Sequence, residues 1–426
     1  MDLIAGLITL GFILILGFIG NYIFNKTQIP SIIWLLLFGL IIGSFFKVQE
    51  FQNLYPSLLD DVSGFIGAIA IIIILFDGGI NTDIYQLFKD APRGLLLTIT
   101  SFSFSFIATL LIVTGLEFFG VIDLNGHGYI LGAVLGAIIG GTSSPIVIPL
   151  VNRLRNIHDN TKMVSSIESI LTDPICIVIV FAIYYMVFIE GELNILSGVG
   201  NLVKTFSVGI VLGGILGLIW LFIMNKFRRE QFAYVITLAI IFLVYSFTAV
   251  IVGTNEGGQG AGAIACLMFG LVLGNGKKIL KMINYQHEGF EMVRTFFFVY
   301  LGMIVTFRSL NFIIIGIIIL MVLLIVRYLA IYISTYKGSF SIDDKQVLTV
   351  MMPRGLAAAI LAISFTPLML GAGTSSAPGY NLAVEMQGIF MDVAFVVILG
   401  TAIITTIGVF VICHYETKKT KESEKE

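Results

Sequence analysis

Long apolar runs follow one another along almost the whole chain, and they leave little choice of architecture. Each run approaches the length of about 20 residues that a helix needs to cross a hydrocarbon core of about 30 Å. The runs are continuously apolar rather than alternating with a period of two, which favours helices over a barrel. The sequence therefore predicts an all-α polytopic membrane protein with 13 transmembrane helices. These spans cover 2–24, 30–46, 62–80, 94–119, 129–152, 161–188, 200–224, 231–252, 261–276, 291–307, 311–335, 345–370 and 386–413.

Composition excludes several classes of protein. Only 12% of the 426 residues are charged, about half the share of a soluble domain. The net charge of -2 provides no basic field, so we expect no nucleic-acid partner. The Gly-rich stretch 256–260 is not followed by Lys-Ser or Lys-Thr and so lacks the phosphate-loop form. We predict a carrier driven by an ion gradient, with no enzyme activity and no cofactor.

The basic residues predict an orientation in the bilayer. With thirteen spans, 18 of the 24 Lys and Arg residues fall on one side, against two, Lys47 and Arg308, on the other. Because short cytoplasmic loops carry an excess of basic residues, the N-terminus is expected outside the cell membrane and the C-terminus in the cytoplasm. Residues 414–426 then form a short cytoplasmic tail.

Two of the spans are interrupted at matching positions. Span 5 contains the sequence 140–145, Gly-Gly-Thr-Ser-Ser-Pro, and span 12 contains 353–355, Pro-Arg-Gly. Matched interruptions in two halves indicate internal repeats with discontinuous helices. The membrane transport domain, 1–413, is therefore expected to hold a first repeat of six spans, 1–188, a linker helix, 200–224, and an inverted second repeat, 231–413. Since broken helices are tolerated only inside protein or around a polar cavity, we predict an ion site where spans 5 and 12 cross.

One acidic residue lies deep in the sixth span. Asp173 follows Thr161 by twelve residues, which is about 18 Å along a helix and close to the middle of the hydrocarbon. The polar residues of this span share one arc of the helix, and they include Glu168, Ser169 and Thr172. An ionised carboxylate at that depth must be paired, hydrated or protonated. We predict that a monovalent cation and a proton compete for Asp173; a purely structural hydrogen-bonding role is the alternative.

Other charged residues have simpler interpretations. Glu168 is expected to pair with Arg354, with Arg327 as the second choice, and the pair can act as a brace or as a gate. Asp77 is interpreted as an acid at the interfacial end of span 3 rather than as an ion ligand, and Asp392 as a helix-terminal acid.

Together these motifs resemble the monovalent cation:proton antiporter superfamily, the sodium/proton exchangers, over nearly the whole chain. The resemblance is carried by Phe76-Asp77-Gly78-Gly79, Thr142-Ser143-Ser144-Pro145, Glu168 with Thr172-Asp173-Pro174, Arg327, and Pro353-Arg354-Gly355. It implies a homodimer in which a core of spans 4–6 and 11–13 moves against a scaffold and exposes one site alternately. It also implies an ion and proton site that draws on Thr142, Ser143, Ser144, Glu168, Ser169, Thr172 and Asp173.

Two positions depart from the pattern of the archaeal and eukaryotic-like branch of that superfamily. Thr172 replaces an Asn, and Thr142-Ser143-Ser144 replaces a Thr-Asp-Pro sequence, in a form that resembles the branch with potassium-linked antiporters. We expect Na⁺ as the cation, with K⁺ or Li⁺ as alternatives, in a protein of pH homeostasis. Because Thr172 is neutral and Glu168 is assigned to an Arg, Asp173 is the one carboxylate that exchanges a proton for a cation. We therefore predict electroneutral exchange.

Two other functions are compatible with parts of the pattern. An ion channel could use the same intramembrane acids, although it needs a continuous pore. A carrier for a small organic anion could bind its substrate through Arg354, but the neighbouring Asp173 argues against it.

Overall fold

The fold was analysed from a computed structural model. It describes residues 31–46, 69–80, 92–187, 195–226, 233–253, 258–280, 298–303, 310–362 and 380–423, with gaps of one or two residues in several of these ranges, and scattered positions between 11 and 23. The predicted spans 2–24 and 291–307 lie mostly outside the described residues.

Helices make up nearly all of this described chain, and it contains no strand. Eleven of them are named here in chain order: α1 Ser31–Phe46, α2 Pro92–Phe118, α3 Gly128–Ile139, α4 Ser144–Arg153, α5 Asp159–Tyr184, α6 Ile195–Lys226, α7 Ala233–Val252, α8 Gly258–Leu280, α9 Leu310–Ser334, α10 Ile342–Val350 and α11 Tyr380–Ser423. Two shorter helical segments cover 75–80 and 357–362.

Seven of the described helices are long and apolar enough to cross a membrane, namely α2, α5, α6, α7, α8, α9 and α11. Shorter apolar helices occur at Ile33–Gly43, Ile71–Ile80 and Gly128–Ile139. The first two lie within predicted spans 2 and 3, and the third is the first half of span 5. The predicted all-α polytopic architecture is therefore confirmed.

The last helix is longer than predicted. Its span was expected over 386–413, whereas α11 runs for 44 residues from Tyr380 to Ser423. Most of the predicted tail, 414–423, is thus helical. The reason is local, because this stretch is rich in Lys and Glu, which favour helix without needing an apolar surface to cover.

Small residues allow the middle helices to pack closely. Helix α6 lies against α8, and α8 also packs on α7. At Gly213 of α6, an added Cβ would stand 2.7 Å from the Cα of Ala265 in α8. Only a glycine permits this approach, and small residues at such crossings are the common device for helix packing in membranes.

The remaining long helices surround the two interruptions. Helix α2 packs on α3, α5 and α9, while α11 packs on α9, α10 and α3. These contacts bring together elements from both halves of the sequence. The crossing of spans 5 and 12 therefore lies inside a helical bundle, as broken helices in a membrane require.

The start of α10 is fixed by a capping box. Ser341 accepts a hydrogen bond from the backbone N–H of Asp344, and the Asp344 carboxylate accepts from the backbone N–H of Ser341. His158, which precedes α5, lies 2.8 Å from the same carboxylate through its Nδ1. The capping box thus also joins α10 to the connection between α4 and α5.

Candidate functional site

The first interruption separates α3 from α4. Helix α3 ends at Ile139, residues 140–143 are not helical, and α4 begins at Ser144 with Pro145 in its first turn. A glycine pair followed by Ser and Pro favours this arrangement, because glycine tolerates an irregular backbone and proline is well accommodated at a helix start. The predicted discontinuity of span 5 is therefore confirmed.

Thr172 of α5 satisfies the backbone of this first break. Its hydroxyl accepts a hydrogen bond from the Thr142 N–H at 2.9 Å and lies 3.1 Å from the Thr142 carbonyl, to which it can donate. Both threonines are buried. Unpaired backbone groups inside a membrane protein cost several kcal/mol, so Thr172 stabilises the irregular turn that leads into α4.

Asp173 stands beside the first turn of α4. Its Oδ2 lies 3.3 Å from the Ser144 hydroxyl and 3.5 Å from the Ser144 N–H, and the side chain is 8% exposed. The N-terminus of a helix carries unpaired N–H groups and a partial positive charge, which favour a carboxylate. These donors are neutral groups, so a proton or a cation can still neutralise the charge of Asp173.

The second interruption separates α10 from the helical segment 357–362. Residues 351–355 are not helical, and they touch the first break directly, since the Ser143 N–H donates to the Pro353 carbonyl at 2.8 Å. The predicted discontinuity of span 12, and its contact with span 5, are confirmed.

Arg354 binds the carbonyl end of the first half-helix. Its Nη1 donates to the carbonyls of Gly140 at 2.8 Å and Gly141 at 2.6 Å, and its Nη2 donates to the Ser105 hydroxyl of α2 at 3.1 Å. A guanidinium suits this position because helix C-termini carry unpaired carbonyls and a partial negative charge. The side chain is buried and engaged by the protein itself, which disfavours the predicted alternative of an organic-anion carrier.

The expected pairing of Glu168 with Arg354 is not the contact in the structure, in which Glu168 pairs with Arg327. Both Glu168 oxygens accept from this guanidinium, one at 2.9 Å from Nη2. Arg327 also donates to the carbonyls of Leu348 and Met351 at the end of α10. Arg327 therefore binds the carbonyl end of α10, just as Arg354 binds the carbonyl end of α3. Arg327 also donates to the Glu168 carboxylate through two nitrogens, Nη1 and Nη2.

The structure gathers most, but not all, of the predicted site residues. Thr142, Ser143, Ser144, Thr172 and Asp173 meet at the crossing. Glu168 and Arg327 lie along the same bundle as a separate ion pair. The hydroxyl of Ser169 donates to the Ser166 carbonyl of its own helix at 3.0 Å, so its contact is local.

Asp77 lies near the end of the helical segment 75–80. A Cβ placed on the adjacent Gly78 would lie 3.9 Å from the ring of Pro174, which places this helix end beside α5. The interpretation of Asp77 as an acid at the end of span 3 rather than an ion ligand stays a prediction.

We searched the described residues for a cluster of side chains that could bind a transition metal. These residues contain no group of three or more His, Cys, Asp or Glu side chains placed to hold a metal ion. The oxygen atoms at the crossing are carboxylate, hydroxyl and carbonyl groups, which are hard ligands and suit cations that prefer oxygen.

Glycine at position 355 is expected to be required for the close contact between the two breaks. An added Cβ would overlap Oγ and Cβ of Ser143, which is fully buried. We expect Gly355→Ala to destabilise the fold by about 1–3 kcal/mol through overpacking and to slow transport. The double variant Ser143→Gly/Gly355→Ala removes the clash and should recover most of the lost stability, measured as the midpoint of thermal unfolding in detergent. Gly115→Ala, on an open face of α2, is the matched control, and a double variant no better than Gly355→Ala would contradict this packing.

Two discontinuous helices that cross beside a buried carboxylate define a class of membrane carrier that moves small ions. The chain belongs to the family described as "Sodium/hydrogen exchanger, transmembrane", which matches residues 11–414. The predicted membership of the monovalent cation:proton antiporter superfamily is confirmed. The family is one of transporters rather than enzymes.

Similar proteins carry matching names. The chain is 25% identical to "Na(+)/H(+) antiporter 1" of Methanocaldococcus jannaschii over 85% of its own length and 84% of that protein. It is 24% identical to the "K(+)/H(+) antiporter NhaP" of Alkalimonas amylolytica over 92% of this chain and 63% of that one. In fold it resembles the solved structure of the sodium proton antiporter MjNhaP1 from M. jannaschii at pH 8, with a TM-score of 0.79, 24% identity, and coverage of 95% of this chain and 100% of that chain.

Proposed function

We propose that this protein exchanges a monovalent cation, with Na⁺ favoured, for H⁺ at Asp173. The observation that carries the proposal is the position of this carboxylate, buried at the crossing of two broken helices and hydrogen-bonded by neutral donors of Ser144. Both nearby guanidinium groups are engaged elsewhere, Arg354 by carbonyls and Arg327 by Glu168. The charge of Asp173 is therefore left for a proton or a cation to balance.

Competition for one carboxylate is sufficient for exchange. A proton and a cation cannot both neutralise Asp173, so the arrival of one releases the other. If the site opens to one side of the membrane at a time, each turnover moves the two in opposite directions. The Ser144 hydroxyl lies 3.3 Å from the carboxylate, and we expect the hydroxyls of Thr142 and Ser143, in the adjoining break, to add oxygen atoms to the site.

The choice of cation rests on the similar proteins. Relatives named as Na⁺/H⁺ and as K⁺/H⁺ antiporters resemble this chain to a similar degree. The first of them is matched over most of its length, which favours Na⁺, with K⁺ and Li⁺ as alternatives. A homodimer in the cell membrane, with the N-terminus outside and the C-terminus in the cytoplasm, completes the proposal.

The test is proton movement in vesicles that contain the purified protein. We expect Na⁺ added outside the vesicles to change their internal pH, and Li⁺ and K⁺ are compared under the same conditions. Vesicles that carry Asp173→Asn protein are the control for leakage. Single-channel currents in planar bilayers would instead identify a channel, and pH changes that require an organic anion but no alkali cation would identify an anion carrier. Either result would overturn the proposal.

The stoichiometry gives a separate prediction. Glu168 is held by Arg327 through both carboxylate oxygens, so we expect it to stay ionised while Asp173 alone exchanges its load. One cation then replaces one proton, and no net charge moves. On a solid-supported membrane, a Na⁺ concentration jump should produce no current beyond that of Asp173→Asn protein, although proton release is measurable in parallel. A current above that control would show that a second carboxylate takes part. If this current disappears in Asp77→Asn protein, Asp77 is that carboxylate.

A further inference from the structure

A threonine of α11 holds the second break in the way that Thr172 of α5 holds the first. The Thr401 hydroxyl accepts a hydrogen bond from the Arg354 N–H at 2.9 Å and donates to the Val397 carbonyl of its own helix at 2.7 Å. The contact matches the one between Thr172 and the Thr142 N–H, also 2.9 Å long. Thr401 is fully buried.

The match extends to the surroundings of the two threonines. Each stands on a long helix that follows a broken one, and each serves a backbone N–H in the middle of the break. The next residue differs, because Asp173 follows Thr172 whereas Ala402 follows Thr401. The second break thus has the same hydroxyl support, but the residue that follows its threonine carries no carboxylate.

A short chain of contacts leads from Thr401 to Asp173. The residue that Thr401 holds is Arg354, whose guanidinium binds the Gly140 and Gly141 carbonyls of the first break. The preceding carbonyl, that of Pro353, accepts from the Ser143 N–H. The next residue, Ser144, supplies both hydrogen bonds to Asp173. Each step is a direct hydrogen bond or a peptide linkage.

A second hydroxyl limits the movement of the same break. Thr405, one turn beyond Thr401, donates to the Val350 carbonyl at 2.8 Å, where α10 ends. The carbonyl end of α10 is therefore fixed by Thr405 and by Arg327, while the Arg354 N–H depends on Thr401. Loss of the Thr401 hydroxyl therefore removes one hydrogen-bond acceptor from the part of the break that carries Arg354.

We infer that Thr401 is a positioning residue for cation binding at Asp173, and that it acts through Arg354 and the first break. The inference rests on the proposed function, since it assigns Asp173 as the binding group. Without the hydroxyl, the Arg354 backbone loses its acceptor, the guanidinium shifts relative to the carbonyls of the first break, and the Ser144 donors move relative to the carboxylate. Cation affinity should fall while the later steps of transport are little changed.

The test compares three variants in proteoliposomes. Thr401→Val removes the hydroxyl at nearly constant volume and should raise the apparent KM for Na⁺ about tenfold, which corresponds to about 1.4 kcal/mol, with kcat changed less than about twofold. Thr401→Ser keeps the hydroxyl and should restore the wild-type KM. Thr406→Val is the matched control, because the Thr406 hydroxyl donates to the Ala402 carbonyl of its own helix at 2.7 Å, and the KM of this variant should be unchanged.

The possible outcomes separate the claims. A wild-type KM in Thr401→Val protein, or a lower kcat at unchanged KM, would overturn the positioning role. If the valine variant is not recovered in folded form, Thr401→Ala replaces it, with the same KM expected. Wild-type protein that exchanges no cation for protons would instead remove the proposed function, whatever the variants do.

Discussion

Replacement of Asp173 by Asn is expected to reduce cation:proton exchange to the rate of protein-free vesicles. The amide keeps the size of the side chain and can still accept from the Ser144 hydroxyl and N–H, which lie 3.3 and 3.5 Å away in the native protein. It has no charge to balance and no proton to exchange. Transport should therefore stop although the fold persists.

Binding provides an independent measure of this variant. A ligand that binds only the native state raises its stability in proportion to the logarithm of ligand concentration. Na⁺ should therefore raise the unfolding midpoint of the wild-type protein but not that of Asp173→Asn. Asp159→Asn is the control, because this acid lies at the exposed start of the same helix, 3.8 Å from Lys162. Asp173→Asn protein that exchanges cations at the wild-type rate would refute the central role of this carboxylate.

Neutralisation of Glu168 is expected to have the largest effect on stability. Glu168→Gln leaves the buried Arg327 without its counter-charge, and removal of one partner from such a pair costs about 3–5 kcal/mol. The Arg327 guanidinium keeps its bonds to the Leu348 and Met351 carbonyls, so part of its environment survives. We expect a clear fall in the thermal unfolding midpoint and in the yield of folded protein.

A double-mutant cycle distinguishes the two candidate partners. Glu168→Gln combined with Arg327→Gln should be more stable than the sum of the single changes predicts, because the two groups are in contact. Glu168→Gln combined with Arg354→Gln should be closer to additive, since Arg354 donates to Gly140, Gly141 and Ser105 instead. The opposite ranking of the two coupling energies would restore the pairing that the sequence first suggested.

The parts of the site that the sequence predicts are those with a local signature. Glycine and proline in the middle of an apolar span mark a break, and an acid twelve residues into a span must lie deep in the membrane. The two breaks and the depth of Asp173 follow from these signals, whereas Ser144 entered the predicted site only through the family resemblance. The lengths of apolar runs likewise predict the helices, although the polar end of α11, 414–423, carries no such signal.

The parts that it misses depend on packing between distant segments. Arg327 and Arg354 are both buried and both lie in the second half of the chain, and no pattern states which faces Glu168. Thr401 looks like any threonine in an apolar helix, where its hydroxyl would bond the preceding turn.

The two breaks also have a consequence for how the protein is made. The carbonyls of Gly140 and Gly141 are satisfied by Arg354, and the N–H of Ser143 by Pro353, which are translated more than 200 residues later. Until those residues enter the bilayer, α3 and α4 carry unpaired polar groups that hydrocarbon disfavours. We therefore expect final assembly of the crossing to be a late event that requires both halves in the membrane.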